Sequence, residues 1–143
     1  MKFVTYRGMR VDRLASAWLI RRFVDPRARF RFIERGETPP KGWTPFDLPD
    51  VEFSHHGMDC TFETLVKKFK IRDRGVREIA EIVHDADVKD GKFGRAEAAG
   101  VLAAVQGLGL ICGDDDELLE KGLFFFDGLC RFFERRGPRG GRQ

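Results

Sequence analysis

Cysteine is scarce and scattered in this 143-residue chain. Cys60, Cys112 and Cys130 form no CxxC and no close pair, which excludes a disulfide framework and reads as reduced thiols of a cytoplasmic protein. Long apolar runs are also missing. The best one, Ala98 to Cys112, carries Gln106 and three glycines and falls short of the roughly 20 residues a membrane span needs. The opening residues, Met-Lys-Phe-Val-Thr-Tyr-Arg, hold no apolar signal core, so neither export nor membrane association is expected. Charge of one sign is lacking: 26 Lys and Arg interleave with 23 Asp and Glu, and a net +3 gives little drive toward nucleic acid. The Walker loop, the dinucleotide fingerprint, GxSxG and HExxH are all absent, which removes the commonest nucleotide, hydrolase and metalloprotease readings.

Phenylalanine is abundant, with 14 residues against two Trp and one Tyr, so the aromatic content is packing material. A hydrophobic fraction of 42% over this length predicts one globular domain, residues 1–136, followed by a disordered Gly/Pro/Arg tail, 137–143.

Periodicity divides the domain into strands and helices. Lys2 to Arg7 alternates and is β-prone. Asp12 is placed to cap a helix whose apolar face runs Leu14, Ala15, Trp18, Leu19 and Phe23, ended by Asp25-Pro26. Arg27, Arg29 and Arg31 alternate with Ala28, Phe30 and Phe32, the pattern of a half-buried strand with a solvated basic face. Gly36 to Pro49 holds four prolines and is a loop, and Val51 to His55 alternates like a third strand. Thr61 and Asp73 mark two helix starts. The helix near Arg95 to Ile111 is apolar on most sides and small-residue rich, which places it at the centre of the fold. Asp114-Asp-Asp-Glu opens the last helix with acids at its positive end. The fold class is α+β: an N-terminal sheet of about three strands covered by about five helices.

Chemistry concentrates at Val51-Glu-Phe-Ser-His-His-Gly-Met-Asp-Cys60, which holds two of the three histidines and one cysteine. If residues 51–55 form a strand, His55 and His56 face opposite ways, so one of them serves a given site. His84 and Asp87 are three apart on one helix face. Imidazole with carboxylate suits zinc, iron or manganese, and an open position would make such a site catalytic or sensing. The bland reading puts His56 and His84 on the surface and makes the Asp114–116 run a helix cap. Arg13 at a helix start and Arg21 near its end could hold an oxyanion, with Asp12 orienting Arg13. Cys60, just before a helix start, is a candidate nucleophile whose pKa the helix dipole would lower. Asp127 among Phe124, Phe125 and Phe126 needs an arginine or a metal as partner.

These residues resemble a known family, the C-terminal domain of the chromate-resistance protein ChrB. The matching segments are Asp12 to Asp25, Thr44-Pro-Phe-Asp47, Val51 to His55 with Cys60-Thr-Phe62, Ala86-Asp87, and Asp114 to Gly122 followed by Asp127. They occur in the family's order over nearly the whole chain. The resemblance implies a context of chromate sensing or resistance, and it carries His55, Cys60, Asp87 and Asp115 as site positions. Two departures stand out. Ser16-Ala17 replaces the family's usual Cys-Pro, so a thiol pair between this position and Cys60, of a kind that could reduce chromate, is missing. His84-Asp85 stands where the family usually has an Arg-Gly-like pair.

The expectation is therefore a cytoplasmic domain that binds a divalent transition metal (Zn, Fe or Mn) or an oxyanion such as chromate. Its metal set is His55, Asp87, Asp115 and Cys60, and its anion set is Arg13, Arg21 and the orienting Asp12. Competing classes are a metal-dependent hydrolase or chromate reductase, with Cys60 and Arg13 as catalytic candidates, and a DNA-binding regulator module using the arginine stripe. The oligomeric state is open between monomer and homodimer.

Overall fold

A parallel sheet built on the first strand sets the frame. The computed structural model describes residues 1–136; the expected tail lies outside them. Among the described residues there are three strands, β1 (Lys2–Tyr6), β2 (Arg29–Ile33) and β3 (Thr44–Pro45), in the order β2-β1-β3. Both pairings are parallel, with Lys2 opposite Arg29, Val4 opposite Arg31 and Val4 opposite Pro45. Parallel neighbours need a crossover, and between β1 and β2 it is α1 (Val11–Leu19). The helices α2 (Thr61–Lys68), α3 (Arg74–Asp87), α4 (Glu97–Ile111) and α5 (Asp115–Arg135) complete the expected α+β architecture. None of the described helices is long and apolar enough to cross a membrane.

The centre of the fold is α1. Eight of its nine residues are buried, and Trp18 packs against Phe23, Phe62 and Phe126 with ring centroids 5.6–6.3 Å apart. Its last turn, Ile20–Val24, widens to a π-helix in which the Asp25 amide donates to the Ile20 carbonyl at 2.8 Å. The turn brings Arg22 to Asp127, which accepts two hydrogen bonds from its guanidinium at 2.9 and 2.8 Å and one from Trp18 Nε1 at 2.8 Å. The arginine partner expected for Asp127 is thus Arg22, although this carboxylate is half-exposed.

Three sequence expectations change. Asp12 does not cap α1, because Arg10 holds that position and Asp12 lies inside the first turn with its side chain turned away. The third strand is Thr44–Pro45, not Val51–His55. Asp47 and Asp50 take left-handed backbone angles (φ 54° and 58°) that turn the chain off the sheet, leaving residues 51–55 as a loop tied by one bridge from Phe53 to Phe46. The apolar α4 lies at the periphery: only Ala98, Val101 and Val105 are buried, while Leu110 and Ile111 are exposed. Its glycines and alanines offer little area to bury, and the large side chains of α1 take the centre. On the sheet's outer face Lys2, Arg29 and Arg31 lie over the Trp43 ring, so the basic face is solvated as expected but ordered by cation–π contact.

Close helix approach depends on glycine. A Cβ at Gly75 of α3 would stand 2.6 Å from the backbone oxygen of Cys130 in α5, an atom that cannot rotate away. Gly75→Ala should destabilise the domain by about 1–3 kcal/mol through overpacking. A urea midpoint lowered relative to the parent protein checks this; an unchanged midpoint would mean the α3–α5 contact is loose.

Candidate metal centre

The residues of the site come from four separated segments, and α2's N-terminus gathers them. A helix start leaves backbone N–H groups without intrahelical partners. Here the amides of Thr61 and Phe62 donate to the two oxygens of Asp12, each at 2.9 Å. Asp12 is almost fully buried, and Ser16 adds a longer hydroxyl contact at 3.5 Å. The positive end of α2 therefore holds a carboxylate carried by α1.

His55 approaches this carboxylate from the 51–60 loop. Its Nε2 is 3.0 Å from Asp12 Oδ2, 3.3 Å from Asp87 Oδ2 and 3.9 Å from Asp47 Oδ1. Asp87 is the last residue of α3, and Asp47 follows β3 at the left-handed turn. Asp47 is itself fixed on both oxygens. Arg13 Nε donates to Oδ2 at 2.9 Å, and the Thr61 hydroxyl donates to Oδ1 at 2.6 Å. A second Arg13 nitrogen reaches the Asp47 carbonyl at 3.0 Å, and the guanidinium lies over Tyr6. Arg13 and Asp47 are both largely buried, a setting in which removing one partner strands the other charge.

Crowding of carboxylates governs the electrostatics. Hydrogen bonds to Asp12 and then Asp87 raise the His55 pKa from its ordinary 6.5 to about 10, against the opposing effect of burial. Burial, followed by the charge of Asp12, raises Asp47 from 3.8 to about 6, with Arg13, Thr61 and His55 pulling the other way. The ligand atoms of Asp12, Asp47 and His55 all lie within 4.8 Å of one another. A cavity of about 290 Å³ opens beside them, lined by Tyr6, Arg13, Arg35, Asp47, Ser54 and His55 among others.

The structure brings together some of the sequence-derived site residues and separates the rest. His55 and Asp87 meet. Asp12 orients His55 rather than Arg13, and Arg13 is engaged by Asp47. Asp115 is elsewhere: its carboxylate accepts from the amides of Gly8 and Met9 at 3.0–3.2 Å, and it lines a different cleft beside α4. Asp114, not Asp115, caps α5 by accepting from the Glu117 amide. Arg21 stacks over Phe30 with its Nε buried. Cys60 is fully buried at the N-cap of α2, grouped with Glu63 and His84. Burial pushes its thiol pKa up, outweighing the expected pull of the helix dipole. His56 points away from the site, to the Glu52 carbonyl. His84 is not on the surface but wholly buried. Sequence reasoning missed Asp47 and Thr61 as site residues, although both stand in segments that carried the family resemblance.

Comparison with known proteins follows the same residues. A family model described as "ChrB, C-terminal domain" matches residues 3–133, a span that includes every side chain of the site. A curated relative, Protein ChrB of Cupriavidus metallidurans, is 35% identical over 133 residues, covering 92% of this chain. The match covers 40% of that relative, so the chain spans about two-fifths of its length. No solved structure matches.

The pKa shifts give stability a definite pH dependence. Folded His55, facing Asp12, Asp87 and Asp47, keeps its proton to about pH 10, whereas the unfolded residue loses it near 6.5. Its stabilisation is complete below 6.5 and disappears as pH rises to 10. Asp47 acts in the same direction at lower pH, favouring the neutral form up to about 6 against 3.8 unfolded. In metal-free buffer the urea midpoint of the parent should fall between pH 6.5 and 10, and that of His55→Ala should fall less. Parallel profiles would contradict the assignment.

Proposed function

The chain belongs to the family of the ChrB C-terminal domain, and from that membership and the site we propose a module that binds a divalent transition metal in the service of chromate resistance. Asp12, Asp47, His55 and Asp87 are its ligands. The observation that carries this reading is the convergence of Asp12, Asp47 and His55 within 4.8 Å from three separate segments.

The donor set fits such an ion. Three carboxylates with one imidazole suit manganese, iron or zinc better than a soft thiophilic metal. Charge balance points the same way. With His55 protonated, three carboxylates face two cations, Arg13 and His55, and one negative charge is left over. A divalent ion bound to neutral His55 beside Arg13 cancels the three carboxylates. The chain's own residues keep the ligands in place: α2's amides hold Asp12, and Arg13 with Thr61 holds Asp47. Such outer contacts normally set ligand orientation and metal affinity. The metal would act as the charged element that orients a small oxyanion.

The oxyanion, chromate or one like it, enters through the 290 Å³ cavity. Arg35 at its rim lies over Tyr6 and has no carboxylate partner among the described residues, leaving its guanidinium for the anion. Arg13 serves the metal ligand Asp47 in this reading and is not the primary anion holder. Asp115 and Cys60 take no part.

Calorimetric titration of the metal-stripped protein with Mn²⁺ and Zn²⁺ tests the proposal. Thr61→Val, which removes an outer contact, should weaken binding roughly 10–100-fold. Asp12→Asn and His55→Ala should weaken it by more than about 100-fold, beyond the loss from an outer contact. Affinities unchanged in both ligand variants, with the fold intact by circular dichroism, would defeat it.

A further inference from the structure

A second group of ligand-type side chains lies behind the first site, and nothing above uses it. Cys60, Glu63 and His84 are all buried, and one potential ligand atom from each lies within 4.8 Å of the others. They come from two packed elements: Cys60 and Glu63 from the start of α2, His84 from α3. Glu63 Oε1 accepts from the Cys60 amide at 3.0 Å and stands 2.6 Å from His84 Nδ1. The opposite ring nitrogen, Nε2, is 3.0 and 3.1 Å from the two oxygens of Asp90. Asp90 is fixed by the Lys92 amide at 3.0 Å, and Phe93 closes edge-on over the ring at 5.2 Å.

This is the layout of a ligating histidine. Metal-bound imidazoles characteristically give their second N–H to a carboxylate, which fixes the tautomer and turns the other nitrogen inward. Asp90 holds that position, and the inward nitrogen faces a carboxylate and a thiol. All three residues are buried, and a buried polar cluster is costly where hydrophobic residues of similar size would pack. We infer that Cys60, Glu63 and His84 form a second metal site, distinct from the Asp12–His55 centre, that takes a borderline ion such as zinc. Thiolate, imidazole and carboxylate together are zinc's ordinary donors. Binding exchanges protons for the ion: the thiol proton and any proton shared by His84 and Glu63 leave to solvent, and no electron moves. Asp90 is partly exposed, so the outer side of the His84 ring meets a solvated carboxylate. Because Cys60 adjoins Thr61, whose amide holds Asp12, an ion here would also fix the start of α2.

Cobalt(II) provides a readout that the two sites do not share, because only a thiolate gives a sulfur-to-cobalt charge-transfer band in the near ultraviolet. Titrating the metal-free protein with Co²⁺ should produce this band, and His55→Ala should keep it. Cys60→Ser should abolish it. His84→Gln, which preserves size and polarity if the cysteine variant folds poorly, should raise the Co²⁺ dissociation constant at least about tenfold. Absence of the band in the parent protein would overturn the inference. So would its persistence in Cys60→Ser, which would assign it to Cys130 with Asp73 and Glu134, or an unchanged affinity in His84→Gln. Failure of the Asp12–His55 centre alone would show as lost Mn²⁺ binding with the cobalt band intact.

Discussion

Asp12 is a carboxylate on the most buried helix of the domain, and it survives there because another helix begins at its oxygens. Two amides from the start of α2 satisfy it. Without them a charged group in this position would carry a desolvation cost of several kcal/mol. The same two bonds fix the angle at which α2 meets α1, so the core contact between Trp18 and Phe62, with rings nearly parallel at 6.3 Å, and the site geometry share one anchor. His55, Thr61 and Asp47 take their places around that anchor in sequence: Thr61 through its amide and hydroxyl, Asp47 through that hydroxyl, and His55 through the carboxylate itself.

Much of this was legible from residue patterns where they are local. The apolar spacing Leu14, Ala15, Trp18, Leu19 marks the buried face of α1, and Asp73 caps α3 as its position suggests, accepting from the Val76 amide at 3.0 Å. The arginine alternation before Ile33 marks β2 and its solvated side. Patterns failed where long-range partners decide. Asp12 has the chemistry of an N-cap and behaves as one, but for a helix 49 residues away in sequence. Alternation at Val51 to His55 looks like a strand, yet β1's second edge is already paired with Thr44–Pro45 and the left-handed turn at Asp47 diverts the chain. Apolar content alone put α4 at the centre, whereas side-chain size determines which helix gains most from burial.

The site shows a similar division. His55 and Asp87 were expected from residue type and family resemblance, and their side chains lie 3.3 Å apart. Asp115 carries the same chemical signal but meets the Gly8 and Met9 amides first, so its acceptor capacity is taken by backbone. Cys60 is one residue from Thr61 yet belongs to a different cluster, because successive residues at a helix start point in different directions. Ser16, where a thiol pair might have been sought, lies instead one turn from Asp12 and contacts its carboxylate. Its position ties this departure from the family pattern to the buried anchor.

The central claim is that Asp12, Asp47, His55 and Asp87 close around one divalent ion. The most direct test is anomalous diffraction at the manganese edge from crystals grown with Mn²⁺. The account predicts a peak bounded by Asp12, Asp47 and His55, with Asp87 at its side. Crystals that contain manganese elsewhere but show no peak between these four side chains, with His55 still hydrogen-bonded to Asp12, would contradict it.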